Sequence, residues 1–201
     1  MKSKTLEALL ATESGFHSDM VTRFQKLRES SLLSRARGRN AEFLNVDEVV
    51  SGIFSMVSGK PGFAAMTAIG LRKLKPVGLP EDAFAQAPTL AAAIGAALQE
   101  PILLATVKEI RLGDRDPTKG MMTAAVVYSD GKNECVSLYV PETALSLFAK
   151  GKEKEFDRLS LGLSVTQETI LAPRLLEKIA RGMTRARELA ALEGKLQLSV
   201  S

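Results

Sequence analysis

The sequence predicts an α+β fold, with helices in the N-terminal part and a small antiparallel sheet packed with helices in the C-terminal part. Three observations lead to this class. Between Leu6 and Leu71, apolar residues recur at three- and four-residue spacing, which is the period of amphipathic helices. Beyond Pro101 the spacing changes to two, which is the period of strands. The pair Asp130-Gly131 separates two alternating segments and is typical of a β-hairpin turn.

The N-terminal part begins with three short helices that each have a recognisable first residue. The first is capped by Thr5 and ends near Ser14-Gly15, where glycine is a favourable C-cap. After a Phe16-His17 turn, the second helix starts at a Ser18 cap. The third starts at an Asn45 cap and has two acidic residues in its first turn, which complement the helix dipole.

The second helix has an apolar face and a polar face. Four apolar side chains are predicted to face the core: Met20, Val21, Phe24 and Leu27. Four polar side chains are predicted to face solvent: Thr22, Arg23, Lys26 and Arg28. The second helix therefore offers a candidate binding face.

A fourth helix starts at Pro61, which suits the first turn of a helix, and is broken by Pro76.

The C-terminal part alternates strands and helices. Strands are predicted over four segments: 102–112, 121–129, 134–140 and 159–169. Helices are predicted over three: Thr89–Gln99, from Pro141-Glu142 to Gly151, and from Pro173 to about Leu192. In the last helix, six side chains are predicted to face inward: Leu175, Leu176, Ile179, Met183, Ala186 and Leu189.

These elements predict two domains and a connection. Residues 1–76 form a DNA-binding type of helical domain, 77–100 are a linker with an Ala-rich helix, and 101–201 form an α+β oligomerisation or partner-binding domain. Charge supports the division: residues 1–80 have 12 Lys and Arg against 7 Asp and Glu, whereas residues 81–201 have 15 against 16. The excess positive charge in the first part predicts a polyanionic partner.

The residues that enzymes use for nucleophilic or metal chemistry are scarce. His17 is the only histidine and Cys135 the only cysteine, and they fall in different predicted domains. No phosphate-binding loop motif is present, and Asp114-Arg115-Asp116 has the pattern of a solvated hairpin tip. The sequence therefore predicts no enzyme, with no catalytic residues, metal or cofactor. Without a signal sequence or a membrane span, it predicts a cytoplasmic protein.

Three arginines at alternate positions, Arg35, Arg37 and Arg39, follow the second helix. In an extended hairpin these side chains project to one face, as a cationic row suited to a phosphate backbone or a minor groove. The order of helix, turn, helix, basic glycine-containing loop and helix is that of a winged helix-turn-helix. An ordinary solvated charged face is the other interpretation of the row.

Four segments carry a resemblance to a known family: Leu6–Leu10, Phe24–Leu33, Arg35–Arg39 and Asn45–Val49. Through them, residues 5–58 resemble the N-terminal winged helix of MerR-type regulators. The family's usual Tyr-Tyr pair, long coiled coil and cysteine metal sensor have no counterpart, so only the docking of helix and wing is implied. Residues 27–33 and 37–41 also resemble a module of small proteins of bacterial phages and prophages.

The resemblance implies a sequence-specific DNA-binding transcriptional regulator of phage or mobile-element type, which acts as a homodimer on double-stranded DNA. The residues predicted to contact DNA are Thr22, Arg23, Lys26, Arg28, Arg35, Arg37, Arg39 and Asn40. The alternative is a non-enzymatic phage accessory protein that binds a host protein partner or RNA through its basic N-terminal face. A preference for one duplex sequence at fixed salt would distinguish the two.

Overall fold

A computed structural model of the protein describes residues 1–15, 17–35, 42–116, 121–151 and 167–198. Within these residues the fold is α+β, as predicted. The first four helices are α1 (Ser3–Ser14), α2 (His17–Glu29), α3 (Val46–Ser55) and α4 (Ala64–Arg72). The other four are α5 (Leu90–Gln99), α6 (Pro101–Thr106), α7 (Glu142–Ala149) and α8 (Pro173–Leu198). The strands are β1 (Lys75–Pro76), β2 (Val107–Asp116), β3 (Met121–Ser129), β4 (Glu134–Val140) and β5 (Gln167–Leu171).

The end of α1 is confirmed, and its predicted start is wrong. Gly15 adopts φ +74°, the left-handed conformation that favours glycine, and its amide donates to the carbonyl of Ala11. The N-cap is Lys2 rather than Thr5, which lies inside the helix. Lys2 pairs with Phe43 in an antiparallel bridge. This pairing holds the chain extended up to Lys2, so that the helix starts at the next residue.

The predicted Ser18 cap is wrong, because α2 begins at His17 and Ser18 lies inside the helix. The helix buries three of the four apolar side chains expected in the core: Met20, Phe24 and Leu27. Val21 is 61% exposed, contrary to prediction. The buried strip runs through positions 20, 24 and 27, and position 21 is turned about 100° from position 20. The elements packed against α2 therefore cover a narrower apolar face of this helix than its sequence predicted.

The predicted Asn45 cap of α3 is confirmed. Its side chain accepts a hydrogen bond from the amide of Glu48, and the Glu48 side chain accepts one from the amide of Asn45, which makes a complete capping box. Farther along α3, Gly52 lies against α1: a Cβ there would be 2.8 Å from Cδ2 of Leu6. A residue without a side chain thus lets the two helices approach closely.

The sheet has the strand order β1-β4-β3-β2-β5, with every neighbouring pair antiparallel. The predicted hairpin joins β3 and β4: Oδ1 of Asp130 accepts hydrogen bonds from the amides of Lys132 and Asn133, and Gly131 has φ +94°. Pro76 was predicted to break the fourth helix, but α4 already ends at Arg72, and Pro76 forms part of β1. Its position at the sheet edge suits a residue that cannot donate a backbone hydrogen bond.

Three predicted boundaries in the C-terminal part are wrong. Residues 101–106 form helix α6 instead of strand, because Pro101 occupies the first helical turn, and Ile102 is 87% exposed. Strand β2 continues to Asp116, so Asp114-Arg115-Asp116 belongs to a strand instead of the predicted hairpin tip, and Asp114 pairs with Met122 and Gln167. Strand β5 extends to Leu171, and most of the predicted strand 159–169 lies outside the described residues.

Helix α8 confirms five of its six predicted inward residues: Leu175, Leu176, Ile179, Met183 and Ala186. The sixth, Leu189, is 47% exposed. The side chains 187–192 are all exposed, so among the described side chains of α8 the packed face ends at Ala186. Periodicity continues along a helix whether or not a neighbouring element is present to cover it, and for this reason the prediction was wrong at Leu189.

One continuous hydrophobic core includes residues from all three predicted parts of the chain. Phe24 and Ile53 come from the first part, Ile94 from the connecting helix, and Val126 and Ile179 from the last part. Helix α5 packs against both α3 and α8. The predicted division into domains stays a prediction. None of the described helices is both long and apolar enough to cross a lipid bilayer.

Candidate nucleic-acid interface

The exposed side of α2 bears a polar face, which we call the α2 face: Ser18, Thr22, Gln25, Lys26 and Glu29. Their three- and four-residue spacing places them together, opposite Phe24 and Leu27. Thr22 is exposed as predicted. Nζ of Lys26 lies 2.7 Å from Oε2 of Glu29, and Nε2 of Gln25 donates to Oε1 of Glu29 at 3.0 Å. Glu29 thereby holds the two neighbouring side chains in place.

Lys26 contributes to this face only in part, since its side chain is 41% exposed. Hydrogen bonds from Lys26 first, and then from Gln25, hold the pKa of the Glu29 carboxyl below its ordinary value. At neutral pH, Glu29 is therefore a carboxylate that competes with any anion for Lys26. Gln25 was not among the predicted contacts, although its place three residues after Thr22 would have indicated the same face.

Arg23 does not face solvent, contrary to prediction. It is 2% exposed, and its Nη1 donates to the carbonyl of Ser55 at the end of α3, with a length of 2.6 Å. Burial lowers the pKa of the guanidinium, and the nearby charge of Asp19 opposes this shift. A cation on the last carbonyls of a helix is favourable because it satisfies a terminal acceptor and complements the helix dipole. Arg23 therefore fixes α2 to α3.

Arg28 is also drawn into the protein, since only 14% of its side chain is exposed. Its Nη2 donates to Oγ of Ser3 at 2.8 Å and lies 3.9 Å from Oε2 of Glu7. The guanidinium carbon lies 5.9 Å from the ring centroid of Phe24, within the range of a cation–π contact. The prediction of an exposed Arg28 is thus wrong: the residue ties the end of α2 to the start of α1.

Arg35 is exposed as the basic row requires, and the residue before it is anchored. The amide of Ser34 donates to Oε1 of Glu48 at 2.7 Å, while Oε2 of Glu48 accepts from the amide of Asn45 at 2.9 Å. One carboxylate therefore caps α3 and holds the segment that leads to Arg35. The other predicted contacts, Arg37, Arg39 and Asn40, lie outside the described residues.

A second cationic surface, which the charge count missed, lies on α8. We call it the α8 basic face: Arg174, Lys178, Arg181 and Arg185. Residues 173–192 have five Lys and Arg against two Glu, whereas residues 81–172 have 9 Lys and Arg against 13 Asp and Glu. The near neutrality of the C-terminal part is therefore an average over a basic helix and an acidic remainder. A charge count over windows the length of a helix would have found it.

The two side chains with the most reactive chemistry lie on different elements. His17 is exposed at the start of α2, and Cys135 is half-buried in β4. Burial first, and then the charge of Asp130, raises the pKa of the Cys135 thiol, which disfavours the nucleophilic thiolate. Among the described residues, no three His, Cys, Asp or Glu side chains form a group that could hold a metal ion.

Comparison of the chain with protein-family models, with curated proteins and with solved structures found no match. The features of the protein that bear on its function are therefore the α2 face, Arg35 and the α8 basic face.

Proposed function

We propose that the protein binds double-stranded DNA through the α2 face and Arg35, as a cytoplasmic, non-enzymatic and sequence-specific transcriptional regulator of phage or mobile-element type. The observation that carries the proposal is the way α2 is held. Arg23 ties it to α3 and Arg28 ties it to α1, while Thr22 and Gln25 remain exposed. A helix fixed on two sides can present polar groups to base edges without a large entropic cost on binding.

The side chains of the α2 face suit the major groove. The amide of Gln25 can make a paired hydrogen bond to an adenine edge, and Thr22 offers a hydroxyl and a methyl group. Lys26 can reach a guanine edge or a phosphate once Glu29 releases it. These groups lie within two turns of α2, which is the span over which a recognition helix contacts bases.

Arg35 supplies the part of the interaction that does not depend on sequence. An exposed guanidinium that follows α2 in the sequence can bind phosphate oxygens or enter a minor groove. Because Glu48 anchors Ser34, the position of Arg35 relative to α2 is constrained. A single module of this size makes few contacts, so the proposed regulator acts as a homodimer on a two-fold site.

The test is a fluorescence-anisotropy titration of the full chain against random duplexes and an enriched duplex at about 0.15 M salt. We expect Thr22→Ala with Gln25→Ala to reduce the preference for the enriched duplex by about tenfold or more. Arg35→Ala should weaken binding to all duplexes. It should also lower the magnitude of the salt slope, which is the slope of log K against log salt concentration, by about 0.9.

Lys108→Ala is the matched control, because Lys108 is an exposed cation on β2. It should leave both the preference and the slope unchanged. A folded protein that binds no duplex would overturn the proposal. Binding to RNA or to a host protein, without a preference among duplexes, would favour the accessory-protein alternative instead.

A further inference from the structure

We propose that the α8 basic face is a second phosphate-binding surface, which contacts the backbone of the same DNA outside the bases read by α2. The inference rests on the proposed function, since it takes duplex DNA as the partner. It assigns a role to four residues outside the α2 face: Arg174, Lys178, Arg181 and Arg185. Basic side chains clustered along one helix are the electrostatic footprint expected of a nucleic-acid-binding surface.

The spacing of the four residues aligns them on one side of α8. Positions i, i+4, i+7 and i+11 of a helix fall within about 60° of each other and extend over about 16 Å. The buried residues Ile179 and Met183 lie on the opposite side, where α8 packs against the core. The three arginines are exposed, so their guanidinium groups are accessible to a ligand.

The carboxylates near this face do not cancel its charge. Lys178 forms an ion pair with Glu13, and Nη2 of Arg181 lies 3.9 Å from Oε2 of Glu177. The Arg181 and Glu177 side chains are 74% and 54% exposed, and an exposed pair of this kind is weak and screened by salt. Together with Glu188, three carboxylates lie near the four cations, so the face keeps a net positive charge. The phosphate backbone of DNA is the polyanion that such a row fits.

The position of α8 places this surface next to the proposed reading helix. Helix α1 packs against both α2 and α8. The Lys178–Glu13 ion pair lies at the last turn of α1, two residues before the Gly15 cap from which the chain enters α2. The α8 basic face is therefore near the N-terminal end of α2, and recognition helices contact bases with their N-terminal residues.

The test replaces the three exposed arginines with glutamine, as Arg174→Gln, Arg181→Gln and Arg185→Gln in one chain. Glutamine keeps the helix propensity and removes the charge. If each arginine neutralises one phosphate, the magnitude of the slope of log K against log salt concentration should decrease by about 2.7, and affinity at about 0.15 M salt should decrease about a hundredfold. The preference between enriched and random duplexes should not change, because phosphate contacts carry no sequence information.

Two further variants separate a specific surface from net charge. The first combines three substitutions in one chain: Lys108→Gln, Lys132→Gln and Lys150→Gln. It removes the same charge from exposed positions elsewhere and should leave the slope nearly unchanged. The second replaces the same three arginines of α8 by lysine, which keeps the charge and should therefore keep the slope. Urea unfolding checks that every variant is folded.

The outcomes for the two proposals are distinguishable. If the wild-type protein binds duplex DNA and the Arg→Gln triple variant has the same slope as the Lys→Gln triple variant, the α8 inference is overturned and the proposed function stands. If the wild-type protein binds no duplex, both fail. A slope whose magnitude falls only in the Arg→Gln triple variant supports the inference.

Discussion

Helices α2 and α8 both place basic side chains beside an apolar face, yet they use them differently. On α2, Arg23 and Arg28 are buried or nearly so and bind groups on α3 and α1. On α8, Arg174, Arg181 and Arg185 are exposed. Helix α2 packs against α1, α3 and α4, and Arg23 and Arg28 bind groups on two of these neighbours. A cationic residue on an amphipathic helix can therefore hold the fold together or face a ligand, depending on what surrounds the helix.

The largest effect in this comparison should come from Arg23→Ala. Removing a buried guanidinium leaves the Ser55 carbonyl without this donor and opens a void, so we expect a loss of about 3 kcal/mol in the free energy of unfolding. Arg181→Ala, on the exposed side of α8, should change it by less than about 0.5 kcal/mol. Urea denaturation of both variants measures the difference. Equal stabilities would contradict the structural role of Arg23.

A smaller effect on stability is expected from Glu48→Ala, for which Asn45→Ala is the matched control. Both variants break the capping box of α3 and should destabilise the protein by about 1 kcal/mol. Only Glu48→Ala also releases the amide of Ser34, and with it the position of Arg35. We therefore expect weaker DNA binding in the Glu48 variant alone, under conditions where both variants are fully folded. Equal affinities would show that the anchor has no part in binding.

The smallest effect should come from Glu29→Gln. This change removes the carboxylate that competes with DNA for Lys26, so affinity should rise about threefold at low salt, and the gain should disappear as salt increases. Because the pKa of Glu29 lies below its ordinary value, the wild-type carboxylate stays ionised from neutral to mildly acidic pH. Glu142→Gln, at an exposed position of α7, is the control of equal charge. An unchanged affinity in the Glu29 variant would argue against contact between Lys26 and DNA.

Local signals predicted much of the fold. The Gly15 C-cap, the Asn45 cap and the Asp130-Gly131 turn are confirmed, since each depends on the chemistry of one or two residues and their immediate neighbours. The boundary of α6 was missed because alternation in 102–112 looked like a strand, whereas Pro101 could equally start a helix. Sequence spacing alone did not distinguish these two interpretations.

The candidate site was predictable only in part, and the reason is physical. The polar face of α2, including Thr22 and Lys26, follows from helical periodicity and is exposed at least in part. The burial of Arg23 depends on the end of α3, which lies 32 residues away along the chain. The α8 basic face was hidden because charge was averaged over a region much longer than one helix.

The α+β class, the Gly15 and Asn45 caps, the Asp130-Gly131 turn and the positions of the charged side chains followed from the sequence alone, because these depend on composition and on residues within a few positions. Only the tertiary structure decided which charges are accessible. Arg23 became part of the protein interior because a helix terminus with an acceptor to satisfy lies against it, while Arg181 stayed at the surface because the core covers only the opposite side of α8.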